Sequence, residues 1–294
     1  MNSYIKLNNF SEIVTDTGDI DIIKLLKPID VTTNPSLILK VSKDVRFKNL
    51  INSNDLEEIL VNFGSEISKY IDGYISTEVN PNYSFDTKKT IEIAKKIIKL
   101  YQENNVDKKR ILIKIAATWE GILAAKELEK EGIKCNLTLI FSKVQAIACA
   151  QANVTLISPF VGRITDWYKK NGYVINDVKD DYGVNNVKEI NNYIKKNNYS
   201  TIVMGASFRN IDQIKALAGL DKLTISPNLI NELKNDSNLK FDELKLDDKC
   251  DYIVEEITED IFKNEMKNNK MASEKLKEGI DKFIIDTNEL ISYI

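Results

Sequence analysis

The sequence of 294 residues predicts an α/β fold, a TIM (β/α)8 barrel with extra C-terminal helices, as one domain over residues 1–294. Three observations carry this. Eight short apolar stretches alternate with amphipathic stretches of helical period, the pattern of a parallel sheet covered by helices. No repeat period, linker or low-complexity run divides the chain. No G-x-G-x-x-G follows any of the strands, which weakens the competing open doubly wound sheet, and eight strands is the number that closes a barrel.

The elements follow in chain order. EIVTD (12–16) reads as the first strand, followed by TGD and the amphipathic run IDIIKLLK. IDVTT (29–33) is the second, closed by Asn34-Pro35: Pro35 pushes the residue before it toward extended geometry and suits a first helical turn. Leu56, Ile59, Leu60, Phe63 and Ile67 give a helix over 55–71. GYISTEV (73–79) is the third strand, and 87–103 is a helix with Ile91, Ala94, Ile98 and Tyr101 on one face. ILIKIA (111–116) is the fourth strand, and its helix stops at Gly132. KCNLTLIF (134–141) and the helix KVQAIACAQA come next, then VTLISPF (154–160) with a longer connection through DWYKK to VKEINNYIKKN. STIVMGA (200–206) and KLTIS (222–226) complete the eight, each with a short helix after it, and the tail from about 254 reads as two helices.

The fourth strand holds the residue that organises the functional reading. Ile111, Ile113 and Ile115 share one face, with Leu112, Lys114 and Ala116 on the other. A lysine between isoleucines loses water around its ammonium, which favours the neutral amine. A neutral amine attacks carbonyl carbon and forms a Schiff base. The competing reading is a strand-end lysine that reaches solvent along its stem.

Composition narrows the chemistry. The net charge of -3 offers no nucleic-acid footprint, and no apolar run is long enough to span a bilayer. The polar N-terminus carries no signal-peptide core, and three cysteines (Cys135, Cys149, Cys250) without CxxC spacing suit buried inert thiols in a reducing cytoplasm. The chain has no histidine, so acid–base chemistry must use Asp, Glu, Lys, Tyr or water, and no ordinary His-built metal site is open to it. Of 41 basic residues only Arg46, Arg110, Arg163 and Arg209 are arginines. Arg163 and Arg209 follow the sixth and seventh strands, near where such barrels hold phosphate, and the planar fork binds phosphate in a bidentate manner. Each alone is as readily a surface ion pair.

Chemistry in this fold gathers at the C-terminal ends of the strands. The polar residues there are Asp16, Asn34, Glu78, Lys114, Asn136, Thr138, Ser158 and Ser207. They interrupt apolar strands on a consistent parity: Ser76 with Glu78, Asn136 with Thr138, Ser158 with Phe160. A capping Asp or a turn Asn explains one such residue, and a series over seven strands points to a site.

The segments TDTGD (15–19), DVTTNPSLIL (30–39), ISTEV (75–79), RILIKIAATWEGI (110–122), CNLTLIFS (135–142), ISPFVGRITDWY (157–168) and VMGASFRN (203–210) resemble transaldolase, of the bacterial and eukaryotic type similar in length to this chain. They run in order over nearly the whole sequence. The 40–72 region is short for that family, and Ala117 stands where serine is familiar.

The resemblance implies transfer of a dihydroxyacetone unit from sedoheptulose 7-phosphate to glyceraldehyde 3-phosphate, giving erythrose 4-phosphate and fructose 6-phosphate, in the pentose phosphate pathway. It implies Lys114 as the Schiff-base lysine and Glu78, through a water held by Thr138, as the proton shuttle. Asp16 would be the base on the C4 hydroxyl. Asn34, Asn136 and Ser158 would hold the dihydroxyacetone hydroxyls, Arg163, Ser207 and Arg209 the phosphate, and Phe160 an apolar wall. No cofactor, metal, nucleic acid or membrane is implied; sugar phosphates are the partners, the compartment is cytoplasmic, and a homodimer is the assembly to test. Two alternatives stay open: an aldolase releasing free dihydroxyacetone, where a tyrosine would be expected at position 160, and a non-catalytic sugar-phosphate sensor, which would be expected to have lost the lysine or an acid–base group.

Overall fold

The computed structural model describes residues 2–241, 244–246 and 256–293. Eight parallel strands form a closed barrel: β1 (Glu12–Asp16), β2 (Val31–Thr32), β3 (Ile75–Glu78), β4 (Ile111–Ala116), β5 (Cys135–Ile140), β6 (Leu156–Pro159), β7 (Ile202–Gly205) and β8 (Lys222–Ile225). Each pairs with the next, and β8 returns to β1 through Glu12↔Lys222 to Thr15↔Ile225. The barrel expected from the strand count is the barrel found. β2 is shorter than its expected 29–33, because Asn34 is already the cap of the following helix and its side chain accepts from the Leu37 N–H.

Inward and outward residues alternate as the pleat requires. Ile111, Ile113 and Ile115 join the large apolar cluster between sheet and helices, while Leu112 joins Val14, Leu156 and Met204 in a second cluster that plugs the barrel interior. The inward parity that buries Leu112 also turns Lys114 inward. Register then lines Glu78, Lys114 and Asn136 side by side on three adjacent strands.

The helices stand close to expectation: Leu56–Ser68, Thr87–Glu103, Trp119–Lys130 and Lys143–Gln151 follow their apolar stripes. The long connection after β6 contains two helices, Gly162–Lys170 and Tyr182–Lys196. Tyr101 is buried against Gly64, where a Cβ would stand 1.7 Å from its hydroxyl, so only glycine lets the two helices meet. The two tail helices are Glu259–Asn268 and Lys270–Tyr293. The second packs on Pro35–Ser42, on Gly162–Lys170 and on β5, and so lies across the C-terminal mouth of the barrel. At the other end Ser3–Leu7 forms a short helix packed on Pro227–Asn235. It was not expected, because five residues hold too little period to detect. No helix among the described residues is long and apolar enough to cross a membrane. Cys135 and Cys149 are buried free thiols, and Cys250 lies outside the described residues.

Candidate active site

Lys114 rises from β4 into the barrel mouth and is 5% exposed. Its Nζ donates to the Thr33 carbonyl at 2.9 Å and stands 3.3 Å from Glu78 Oε2. That approach pairs the charges, yet among the described residues Glu78 Oε2 has no hydrogen-bond partner, and neither has the buried Thr138 Oγ1. Buried polar atoms are nearly always satisfied, so two of them on the strands flanking one lysine mark a place built for something other than stability.

Both carboxyls of the site are held above the ordinary carboxylate range. Burial is the main cause at Glu78, only partly offset by Lys114 and Arg163. Burial also dominates at Asp16, offset by Lys114, by the hydrogen bond from Thr32 and by Arg163. Carboxyls shifted this way can take up and release protons nearer neutrality, which suits general acid–base work.

β5 carries an irregularity beside Thr138. Its register with β6 shifts between Leu137 and Ile140, and Leu139 adopts φ 56°. The left-handed region costs a non-glycine residue about 1–2 kcal/mol, so neighbouring contacts must hold it. Gln145 does so: its amide donates to the carbonyls of Leu139 and Ala117, and its Oε1 accepts from the Phe141 N–H.

The rim is built from β6, β7 and the tail. Arg163, in the first turn of its helix, lies between two rings, 5.0 Å from the Phe160 centroid and 5.4 Å from that of Phe283. Gly279, one turn before Phe283, leaves room for this: a Cβ there would stand 3.2 Å from Arg163 Nη1 and 2.7 Å from Leu139. Ser207 adopts φ 60°. Arg209 Nη1 reaches Ser207 Oγ at 3.4 Å, while its Nε and Nη2 both donate to Asp166 Oδ2, at 2.9 and 2.7 Å. The fork is thus held by Asp166 along one edge, with Nη1 turned toward Ser207 on the other.

The structure brings eight of the expected residues to one cavity: Asp16, Asn34, Lys114, Thr138, Ser158, Phe160, Arg163 and Ser207. Glu78 stands behind Lys114, and Arg209 stands at the rim. Asn136 is fully buried, accepts from Ser158 Oγ at 2.7 Å and donates to Ser76 Oγ at 3.1 Å, beside Lys114 on the neighbouring strand. Four lining residues were missed: Thr32, Ala206, Thr224 and Phe283. Thr32 and Thr224 were open to the parity argument, since each shares the inward face of its strand. Phe283 had no local signal.

Fold and cavity define a (β/α)8-barrel enzyme with its polar side chains gathered at the C-terminal ends of the strands. A family model described as transaldolase/fructose-6-phosphate aldolase matches residues 13–294. The transaldolases of Shewanella oneidensis and Alteromonas mediterranea are each 50% identical over 98% of this chain and 96% of their own. That of Shewanella frigidimarina is 49% identical over the same shares. The chain belongs to the transaldolase/fructose-6-phosphate aldolase family.

Proposed function

We propose that Lys114 carries the transaldolase activity of this enzyme as a Schiff base. The reaction is that of the pentose phosphate pathway: a dihydroxyacetone unit passes from sedoheptulose 7-phosphate to glyceraldehyde 3-phosphate, giving erythrose 4-phosphate and fructose 6-phosphate. The observation that carries the reading is a buried lysine flanked by the buried Glu78 and the half-buried Asp16, both of whose carboxyls are held above the ordinary carboxylate range.

In this reading the Lys114 amine attacks the ketose C2 carbonyl and water leaves, with Glu78 moving the protons through a water held by Thr138. Glu78 Oε2 and Thr138 Oγ1, neither hydrogen-bonded among the described residues, support that route. Asp16 then takes the proton of the C4 hydroxyl. The C3–C4 bond breaks, the aldose leaves, and the bonding electrons pass into the protonated imine to give an enamine. When the acceptor aldehyde arrives, the enamine carbon attacks it and Asp16 returns its proton to the new alkoxide. Hydrolysis of the imine releases the ketose. No histidine is needed at any step.

Asn34, Asn136 and Ser158 would hold the dihydroxyacetone hydroxyls, and Asn136 also accepts from the Ser158 hydroxyl. Arg163, Ser207 and Arg209 would hold the phosphate. Phe160 would keep water from the enamine until the acceptor binds, and its lack of a hydroxyl favours transfer over release of free dihydroxyacetone. We extend the reading to a cytoplasmic homodimer, which light scattering would test against the chain mass of 33.5 kDa. The decisive experiment is borohydride reduction with fructose 6-phosphate, then peptide mapping. A three-carbon adduct is expected on Lys114; a label on any other lysine would refute the assignment.

A further inference from the structure

We infer that Thr224, at the end of β8, is a positioning residue for Asp16, acting through the hydroxyl of Thr32. The inference rests on the reading of Asp16 as the base of the cleavage step. Asp16 stands on β1, and the two strands that flank β1 are β2 and β8. Each contributes one inward threonine, both almost fully buried. Thr32 Oγ1 donates to Asp16 Oδ1 at 2.8 Å and lies 2.6 Å from Thr224 Oγ1.

Proton counting sets the direction of this chain. A hydroxyl has one proton to give. An ionised Asp16 can only accept, so Thr32 gives its proton to Oδ1. At the contact with Thr224 the Thr32 oxygen can then only accept, and Thr224 must donate. The relay therefore runs Thr224 to Thr32 to Asp16. It does two things. It occupies Oδ1, which leaves Oδ2 as the oxygen that takes the substrate proton. It also holds Thr32 in the one rotor position that supports the carboxylate, in a place where burial works against the charge. Valine would fill the space of either threonine, and a buried hydroxyl without a task costs free energy. The other charged groups acting on Asp16 are Lys114 from β4, Arg163 from the helix after β6, and Glu78 from β3.

The test uses Thr224→Val, Thr224→Ser and Thr32→Val in the full enzyme. Single-turnover trapping with borohydride separates imine formation from carbon–carbon cleavage of fructose 6-phosphate, and cleavage is followed against pH. Thr224→Val should leave the rate of imine formation unchanged and slow cleavage about 3- to 10-fold, the scale of one neutral hydrogen bond. Losing the donated bond makes Asp16 hold its proton more tightly, so the acidic limb of the cleavage profile should move to higher pH. Thr32→Val should do both more strongly, and Thr224→Ser should restore the parent profile. Equal slowing of both steps, an unmoved acidic limb, or failure of serine to rescue would each reduce Thr224 to a packing residue. Asp16→Ala is run beside them: if it cleaves as fast as the parent, the base assignment itself is wrong, whatever Thr224 does.

Discussion

The barrel buries a lysine between carboxylates at both of its ends, and the two sites are built in opposite ways. At the N-terminal end Lys222 donates to Asp30 Oδ2 at 2.6 Å and to Glu12, and Asp30 Oδ1 also accepts from the Tyr74 N–H. Burial pulls the Lys222 proton affinity down, but its bonds to Asp30 and Glu12 outweigh that and hold its pKa above the ordinary lysine value. At the C-terminal end, among the described residues, Lys114 has a single hydrogen bond, to a carbonyl, and its neighbouring carboxylate oxygen has none. Burial by itself therefore does not make a lysine a nucleophile. The difference lies in whether the carboxylates saturate it, and the end left undersatisfied is the one that faces the cavity.

Exchanging the two lysines for methionine, one at a time, tests this most strongly. Lys114→Met should lose the borohydride adduct and reduce transfer to background while the fold survives. Lys222→Met should keep the adduct but strand Asp30 and Glu12 without their cation, and removing one partner of a buried pair costs about 3–5 kcal/mol. Urea unfolding and trapping on the same samples would read both outcomes. A stable but inactive Lys222→Met would contradict the distinction.

The two carboxyls of the upper site should separate in time. Glu78→Gln should slow the appearance of any adduct by about 10²–10⁴-fold, the usual contribution of a positioned acid–base group. Asp16→Ala should label promptly and carry the intact six-carbon sugar. If Glu78→Gln labels at the parent rate while Asp16→Ala fails to label, the two roles are reversed.

How far the sequence could show this contrast depends on which residues are asked about. The strands and their inward parity were legible because the pleat repeats every two residues. That parity led to Lys114, Asp16, Glu78 and Thr138. It applies equally to Lys222, and only the partners that fold back onto each lysine tell the two apart. Thr32 and Thr224 passed unnoticed because threonine in a strand is what β-propensity alone provides. Leu139 gives no hint of its left-handed backbone, since leucine is a poor choice for it; Gln145, six residues on, holds it there. Phe283 reaches the cavity from the last helix, a contact set by packing that no local pattern carries.

The rim offers a smaller test. Arg209→Ala should raise KM for fructose 6-phosphate about 10- to 100-fold, the scale of a lost charge-assisted bond, with kcat nearly unchanged, because phosphate is held alike in ground and transition states. Asp166→Asn, which only frees the arginine to move, should raise KM less. A large fall in kcat at unaltered KM would place Arg209 in the chemistry.

The smallest effect is also the one that sets the two ends most directly against each other. Burial resists the charge on Asp16, so its folded pKa lies above its unfolded one. A carboxyl shifted this way binds more protons folded than unfolded, and its charge costs stability once the pH exceeds the folded pKa. Asp16→Asn removes that cost and keeps an oxygen for Thr32, so it should raise Tm at neutral pH, by about 2–4 °C for each kcal/mol regained in a chain of this size. As the pH falls through the folded pKa toward the ordinary carboxylate value of about 3.9, the parent protonates too and the gain should vanish. Asp30→Asn at the other end should do the opposite. It removes the charge that Lys222 is bonded to and should lower Tm at neutral pH. Scanning calorimetry of both variants between neutrality and acid reads the comparison: opposite signs at neutral pH, with the Asp16 difference closing on acidification. A destabilised Asp16→Asn would mean that Lys114 and Arg163 need that charge more than burial resists it.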